Sequence, residues 1–317
     1  IIEDQVFNRL NWAKVIDPEM MLQDSTVLES PIIYPTDVRL LYKAFTKMAM
    51  VATRVNTKPW WDESEIKKLW RAYHLDKSKQ YLPYLSALYL HFEPALETFA
   101  ALVDSLPDGR VTTQWQQLLE TLLILDEQTQ LKLEGQLRIP NRLVSLDDVD
   151  ARPIQKGKRH PKTEFGTFLQ LSFNRQGFMI TTENFMGKVD DKILYPNTLD
   201  RFLKRMSTYP SGAVTDLGYR SAKNLKLSHE HLDYVFMGKS SDVDETHKEA
   251  CIKARSATEG FVAVAKNLRG FRKSLYRNLE GAKIWTLLNQ CAYNLKKFLQ
   301  LYRDEALSEV TLAALRL

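Results

Sequence analysis

The hydrophobic period of this chain changes along its length, and that change restricts its fold more than any other feature. Residues 21–29 read as a short strand between Pro18 and Pro31. Between residues 36 and 138, apolar side chains recur at steps of three and four, which predicts helices. After Pro140 the period falls to two, the spacing of a strand. A chain with this order is an α/β protein whose strands are interrupted by an all-helical block.

The second half of the sequence predicts strands that alternate with helices. Residues 165–171 and 178–182 alternate apolar and polar side chains around a turn at 174–177, which predicts a hairpin. Two further short strands are predicted at 213–215 and 232–236. This order indicates a mixed sheet covered by helices. The inward residues of the predicted helices are Leu199, Phe202, Leu203 and Met206, and, between 249 and 268, Ala254, Ala257, Phe261, Ala265 and Leu268.

Composition limits the class of protein and its compartment. Apolar residues make up 44% of the 317 residues, enough for a large core. No apolar run is long enough to cross a bilayer, and the first residues lack the layout of a signal peptide. The two cysteines, Cys251 and Cys291, cannot form a disulfide framework and match no metal-ligand spacing. We therefore expect a cytoplasmic protein with no membrane partner.

Positive charge is concentrated in two stretches, although the net charge is only +5. Residues 151–163 hold five bases and no acid, and residues 266–297 hold eight bases against the single acid Glu280. A basic stretch is ordinarily a solvated face. Two such stretches beside candidate acidic residues favour a polyanionic partner.

Three acidic residues stand out by their positions in the predicted elements. Asp24 lies on the first strand. Asp216 ends a short apolar strand just before Gly218, a place where open α/β sheets put functional side chains. Glu259 lies on the long helix at 249–268. We expect the three carboxyl groups to converge.

The helix that carries Glu259 has a polar stripe as well as an apolar one. At about 100° per residue, Arg255, Glu259 and Lys266 lie on one side of the helix. An arginine and a glutamate four residues apart are also an ordinary surface pair. The spacing alone therefore leaves a structural and a functional interpretation open.

Three clustered carboxylates need positive charge to offset their repulsion. At about 5 Å separation each pair repels by roughly 3 kcal/mol at an effective dielectric constant of about 20. A site made only of oxygen ligands suits Mg²⁺ or Mn²⁺ rather than zinc. Two such ions can activate an attacking oxygen and stabilise the leaving oxygen of a phosphodiester. Asp24, Asp216 and Glu259 are therefore candidate ligands of two metal ions.

Short sequence motifs surround each of the three acids. One is Arg255-x3-Glu259-x6-Lys266; the others are VTDLGYRS at 214–221 and DSTVLE at 24–29. The first is similar to the Arg-x3-Glu-x6-Lys signature of bacterial DDE insertion-sequence transposases. The other two are similar to the segments that carry the second and the first aspartate of that family.

The resemblance extends over nearly the whole chain, from about Asp24 to Leu299, with weaker similarities at 152–166 and 275–295 in the same order. It implies a ribonuclease H-like fold, in which helices flank a mixed sheet and an all-helical insertion interrupts it. The implied domains are a catalytic domain at 1–35 and 140–305, a helical insertion at 36–138 and a C-terminal tail at 306–317.

The resemblance also implies an activity, namely metal-dependent DNA cleavage and strand transfer at insertion-sequence ends. Asp24, Asp216 and Glu259 would be both the catalytic residues and the ligands of two Mg²⁺ or Mn²⁺ ions. The partners would be double-stranded DNA, as transposon ends and target, and a second copy of the chain in a homodimer on that DNA. The protein would be associated with the nucleoid. The residues implied in DNA binding are Arg255, Lys266, Lys156, Lys158, Arg159, Arg269, Arg272 and Lys273.

The sequence departs from the family pattern at identifiable places. Ile252 stands where the signature often has tyrosine, and Leu217 stands where arginine is common. The chain begins about twenty residues before Asp24, so we expect the upstream helix-turn-helix domain of such enzymes to be missing. The alternative hypothesis is a catalytically decayed or repurposed DNA-binding protein that keeps the fold. A nuclease that cuts without joining would use the same site.

Other residues could in principle serve as ligands. Asp147 and Asp148 precede the first basic stretch and could replace Asp24, although loop acids before a hairpin are commonplace. His229 and His231 are two residues apart, which places their rings on different helix faces and disfavours a zinc site.

Overall fold

The computed structural model describes residues 2–78, 80–107, 109–155, 162–304 and 307–315. These form two compact units, one of Ile1–Pro31 with Ile154–Leu317 and one of Ile32–Pro153. The chain carries a mixed sheet of six strands flanked by helices, which confirms the predicted α/β class, and all of these strands except β2 lie wholly in the first unit. No helix within the described ranges combines the length and the apolar character needed to span a membrane.

The sheet is built around its first strand. β1 pairs antiparallel with β3 and parallel with β5, while β6 pairs parallel with β5 and β4 pairs antiparallel with β3. The order along the main path is β2-β3-β1-β5-β6. The strands are β1 (Met20–Glu29), β2 (Arg152–Ile154), β3 (Glu164–Asn174), β4 (Met179–Met186), β5 (Gly212–Thr215) and β6 (Tyr234–Met237).

The predicted first strand and hairpin are confirmed, whereas β6 begins two residues later than expected. Leu232 N donates to the Ser228 carbonyl oxygen at 2.7 Å, which closes the preceding helix.

The helices are α1 (Ile2–Trp12), α2 (Asp37–Arg54), α3 (Glu63–Leu75), α4 (Leu82–Asp104), α5 (Arg110–Leu133), α6 (Asp191–Met206), α7 (Ala222–His231), α8 (Glu245–Leu268), α9 (Asn278–Arg303) and α10 (Glu309–Leu315). α10 lies within the stretch expected to be a C-terminal tail.

The sheet has an apolar core on each face because successive side chains of a strand point to opposite sides. On β1, Met21 and Val27 belong to a core that includes residues of α1 and α6. Met20, Leu22 and Leu28 belong to a second core that includes residues of α8 and α9. The α8 face is the one that concerns the predicted site.

The inward face of α8 differs from the predicted one at its end. Ala254 and Ala265 are buried and Phe261 packs against the same core, but Leu268 is 64% exposed. Leu268 is the last helical residue, so no further turn follows to continue the apolar stripe. A polar residue, Thr258, is buried in the stripe because its hydroxyl donates to the Ala254 carbonyl oxygen (2.8 Å).

The helical unit has its own core, formed by residues of α2 to α5 together with Leu143 and Leu146. The Gln128 side chain accepts from Leu143 N (2.8 Å) and donates to the Leu143 carbonyl oxygen (3.2 Å). These two bonds hold Leu143 against α5, and the compact unit extends as far as Pro153. Residues 140–153 therefore belong to the helical unit, whereas the sequence analysis placed them in the catalytic domain.

Two glycines of the sheet-bearing unit provide a matched test of its packing. A Cβ at Gly166 would overlap the Leu28 carbonyl oxygen on β1, so Gly166→Ala should lower the free energy of unfolding by about 1–3 kcal/mol. Gly260 lies within α8 with nothing inside 4 Å of an added Cβ, so Gly260→Ala should raise that free energy by about 1 kcal/mol. Urea denaturation followed by circular dichroism measures both. Equal effects would contradict the close approach of β1 and β3.

Candidate active site

Asp24 lies on β1, and Asp216 directly follows the neighbouring parallel strand β5. The β1–β5 ladder reaches the pair Leu22 and Val214, and each aspartate follows its strand's residue by two positions. The ladder ends at that pair, so both aspartates come just beyond the same end of the paired region, where the two strands lie about 4.8 Å apart. Leu22 belongs to the core on the α8 face, and alternation along β1 directs Asp24 to the same face.

One oxygen of each aspartate is held by a backbone N–H group. Ser25 N donates to Asp24 Oδ1 (2.7 Å), and Gly218 N donates to Asp216 Oδ1 (2.8 Å). A charge-assisted hydrogen bond of this kind fixes the orientation of a carboxylate. The two carboxyl groups are therefore positioned by the chain itself.

Arg255 of α8 joins Asp24 and Glu259. Its Nη2 lies 3.3 Å from Glu259 Oε1, one helical turn away, and its Nη1 lies 3.9 Å from Asp24 Oδ2. The Arg255 and Asp24 side chains are 25% and 17% exposed, whereas Glu259 is 68% exposed. The guanidinium thus places positive charge next to two of the three predicted acids.

A fourth acid, Asp191, borders this group. A Cβ built on Gly218 would lie 3.0 Å from Asp216 Oδ1 and 3.2 Å from Asp191 Oδ2, so both carboxylates approach the same glycine. Asp191 is the first residue of α6 and follows its N-cap, Asp190. Sequence reasoning missed it because acidic residues at a helix start are explained by capping and the helix dipole.

The Tyr219 hydroxyl lies close to the same acids. It donates to Gln170 Oε1 (3.0 Å) in the buried interior. Burial, reinforced by the charges of Asp191 and Asp24, holds the pKa of Tyr219 well above its usual value. The phenol therefore stays neutral and serves as a hydrogen-bond donor rather than as a base.

Lys266 contacts an acid that the helix spacing did not indicate. Its Nζ lies 3.1 Å from Glu164 Oε1 at the start of β3. The two side chains are only 14% and 7% exposed, so this pair is largely removed from water. The contact links α8 to β3, and Lys266 is engaged within the protein rather than presented on the same open surface as Glu259.

The segment after α8 presents basic side chains from a fixed backbone. Glu29 N donates to the Arg272 carbonyl oxygen (3.0 Å), and Ser274 N donates to the Glu29 carbonyl oxygen (2.8 Å). These bonds attach the segment to the end of β1 and leave the side chains of Arg272 and Lys273 exposed. Glu29 lies five residues beyond Asp24, about 17 Å along the strand.

Of the remaining residues expected to bind DNA, Arg269 lies within the described ranges. Arg269 follows the last turn of α8, and its Nη1 donates to the Leu268 carbonyl oxygen (2.8 Å). Lys156, Lys158 and Arg159 lie outside the described residues.

The alternative ligands have other contacts. Asp147 pairs with Lys43 and with Lys47, whose Nζ is 3.2 Å from Asp147 Oδ1, within the helical unit. His229 and His231 are exposed on α7, and the His231 ring stacks on Tyr209 with 4.5 Å between centroids. Leu217 and Ile252, the two departures from the family pattern, are 54% and 51% exposed.

The described part of the chain contains no group of three Asp, Glu, His or Cys side chains that could hold a metal ion. Glu259 reaches Asp24 through the Arg255 guanidinium instead of meeting it directly. The convergence of Asp24, Asp216 and Glu259 on metal ions therefore stays a prediction.

Comparison with known proteins does not assign the chain to a family. No protein-family model, curated protein or solved structure matches the chain. The functional argument therefore depends on the residues and contacts of the site itself.

Removing one partner of the Lys266–Glu164 pair should destabilise the sheet-bearing unit. Lys266→Met removes the Lys266 cation from the largely buried Glu164 carboxylate, so the free energy of unfolding should fall by about 3 kcal/mol. Lys253→Met breaks an exposed pair with Glu249 on the same helix and should cost less than about 1 kcal/mol. Denaturant unfolding measures both variants. If Lys266→Met costs no more than its control, the pair does not hold α8 to β3.

Proposed function

We propose that this chain is the catalytic part of a bacterial DDE-type transposase, which cleaves DNA and transfers strands at insertion-sequence ends. Its sheet-bearing unit would be a ribonuclease H-like domain, with which a six-stranded mixed sheet flanked by helices is compatible. The helical unit, Ile32–Pro153, would be the insertion.

The observation that supports the proposal most directly is the placement of Asp24 and Asp216. Asp24 lies on β1, Asp216 directly follows the adjacent parallel strand β5, and the helix that reaches Asp24 carries the Arg255-x3-Glu259 motif. Metal-assisted phosphoryl transfer needs acids that are held by separate elements and face one point. In the proposed site, the three acids would come from β1, from the end of β5 and from α8.

The residues fit a pair of divalent cations by their chemistry. All candidate ligands are carboxylate oxygens, the donors that Mg²⁺ and Mn²⁺ prefer. Asp24 and Asp216 are oriented by backbone N–H groups. Glu259 is 68% exposed, and an ion pair as exposed as that with Arg255 is worth less than about 1 kcal/mol. Its carboxylate can therefore turn from Arg255 towards a cation at little cost.

The proposed reaction consists of two in-line transfers at phosphorus. When bound by Asp24, Asp216 and Glu259, two Mg²⁺ or Mn²⁺ ions would activate the attacking oxygen and stabilise the leaving oxygen. A water oxygen attacks the phosphodiester at the element's end, and the bond to the 3′ oxygen breaks to leave a 3′-hydroxyl. That hydroxyl then attacks a target phosphodiester, which joins the two strands and releases a 3′-hydroxyl on the target.

Basic residues would hold the DNA around the reacting bond. The Arg255 Nη1 atom is buried without a hydrogen-bond partner among the described residues and lies near Asp24, so it can donate to a phosphate oxygen there. Arg272 and Lys273 are about 17 Å away along β1, a distance of about five nucleotides. Lys266, which pairs with Glu164, would position α8.

A second candidate is a DNA-binding protein that keeps this arrangement without cutting. The observation that favours it is the ion pairing of the site. The Arg255 guanidinium lies beside both Asp24 and Glu259, so the protein itself offsets charge on these two acids. Catalytic assays separate the two candidates.

Substitution of the three acids should abolish catalysis and spare the fold. Asp24→Asn, Asp216→Asn and Glu259→Gln should each lower the rate of Mn²⁺-dependent cleavage and strand transfer by at least about a hundredfold. The substrate is labelled DNA from the ends of the element that carries the gene, with a supercoiled plasmid as target. The thermal unfolding midpoint of Asp216→Asn should not fall, because an asparagine oxygen can still accept the hydrogen bond from Gly218 N.

The matched control is Glu249→Gln, which removes an exposed carboxylate of the same helix α8 and should leave the rate unchanged. If Asp216→Asn forms product at the rate of the unaltered protein, the catalytic proposal is wrong. DNA binding with no product from any variant, nor from the unaltered protein, would favour the second candidate.

The basic segment should contribute to DNA affinity through phosphates. Arg272→Ala and Lys273→Ala should each reduce the slope of log affinity against log salt concentration by about 1, since each removes one phosphate contact. Lys226→Ala, an exposed cation on α7, is the control and should leave the slope unchanged. Fluorescence anisotropy with a labelled duplex at several salt concentrations gives the slopes. Equal slopes for all three variants would exclude the segment from the DNA interface.

A further inference from the structure

The helical unit contains an open cleft whose walls combine basic and aromatic side chains. Its volume is about 490 Å³, which lies in the range of small-ligand sites. All of its lining residues belong to the Ile32–Pro153 unit. Four of them can carry positive charge, namely Arg39, His74, Lys132 and Arg142, against the two acids Asp37 and Asp76.

Both acids of the cleft already have partners within the protein. Asp37 is paired with Arg142. Asp76 accepts hydrogen bonds from Ser78 N (2.7 Å), from Ser78 Oγ (2.8 Å) and from the Tyr84 hydroxyl (3.1 Å). Both carboxylates are thus engaged within the protein, and the three permanently charged bases Arg39, Lys132 and Arg142 exceed the two acids by one.

Two basic groups remain without an acidic partner in the described part of the chain. The Arg39 guanidinium lies over the Trp70 ring, 5.8 Å from its centroid, and forms no ion pair there. Lys132 Nζ makes one long contact, 3.5 Å, to the Gln136 carbonyl oxygen. A cleft with surplus fixed positive charge attracts an anionic group.

Aromatic rings provide the second half of the lining. Tyr73 and Tyr81 border the cleft together with the exposed His74 ring. Tyr73 itself packs against Tyr84, with 5.8 Å between centroids, which helps to fix its orientation. Flat rings beside cations suit a ligand that joins a planar ring to a phosphate.

We infer that this cleft binds a nucleotide unit, with its phosphate held by Arg39 and Lys132 and its base against the Tyr73 or Tyr81 ring. Arginine and lysine recognise phosphate oxygens through charge-assisted hydrogen bonds. The inference does not rest on the catalytic role proposed for the sheet-bearing unit, because none of the cleft residues belongs to that unit.

The test is isothermal titration calorimetry of the whole chain with three probes, namely thymidine 5′-monophosphate, thymidine and inorganic phosphate. The nucleotide should bind at least about tenfold more tightly than either fragment, because only it engages the cations and the rings together. Inorganic phosphate that binds as tightly as the nucleotide would overturn the inference, as would thymidine that does so. Absence of saturable nucleotide binding would overturn it too.

Variants locate the binding. Arg39→Gln and Lys132→Gln should each weaken the nucleotide by about tenfold, since each removes a charged donor. Arg54→Gln is the matched control, because Arg54 is exposed on the same helix as Arg39 and does not line the cleft. Thermal unfolding checks that each variant is folded. If Arg39→Gln does not fold, Lys132→Gln alone tests the position of the binding site. Equal affinity in Lys132→Gln and the control would place the nucleotide elsewhere.

Titration with a single-stranded thymidine oligonucleotide shows whether the cleft binds a free nucleotide or a nucleotide within a DNA strand. If the oligonucleotide binds more tightly than the mononucleotide and the same two variants weaken it, the cleft takes a nucleotide of a strand. If the variants weaken only the mononucleotide, the cleft takes the free form. If they weaken neither, the inference is overturned.

Discussion

The hydrogen bonds along both edges of β1 position the candidate active site. β1 pairs with β3 over nine residues, from Met21 to Glu29, and with β5 on its other side. Asp24 lies within the β3 ladder, opposite Leu171. It cannot shift along or out of the sheet unless several backbone hydrogen bonds break. A carboxylate held in this way rearranges little when a ligand binds, so the free-energy cost of reorganising the site is small. A small cost of this kind is what defines a preorganised site.

Electrostatics then determines which partners that carboxylate accepts. The Arg255 guanidinium lies between Asp24 and Glu259 and lowers the electrostatic cost of holding two carboxylates near each other. In the proposed reaction, cations bound by the acids would take over that role. Arg255 would then be free to donate to a phosphate. Cation binding and phosphate binding would thus support each other, because both change the partner of the same guanidinium.

The sequence predicted the elements with strong periodicity and missed contacts between distant residues. The strand at 21–29, the hairpin and the α8 helix follow from local patterns, and the structure contains all three. Helix spacing placed Lys266 beside Glu259, but the packing of α8 on β3 gives it Glu164 as its partner. No local pattern connects residues 102 positions apart. The same limit applies to Leu143, which two hydrogen bonds of the Gln128 side chain hold in the helical unit.

The distribution of paired and exposed bases matters more for polyanion binding than the net charge of +5. Lys43, Arg142 and Lys266 are paired with acids and contribute little field outside the protein. Arg272 and Lys273 are exposed, and in the helical unit Arg39 and Lys132 face an open cleft. Counterion release depends on the bases that meet phosphates and not on the total. A mildly basic chain can therefore bind nucleic acid at a defined surface, because its exposed bases contact phosphates while its acids pair with the bases that stabilise the fold.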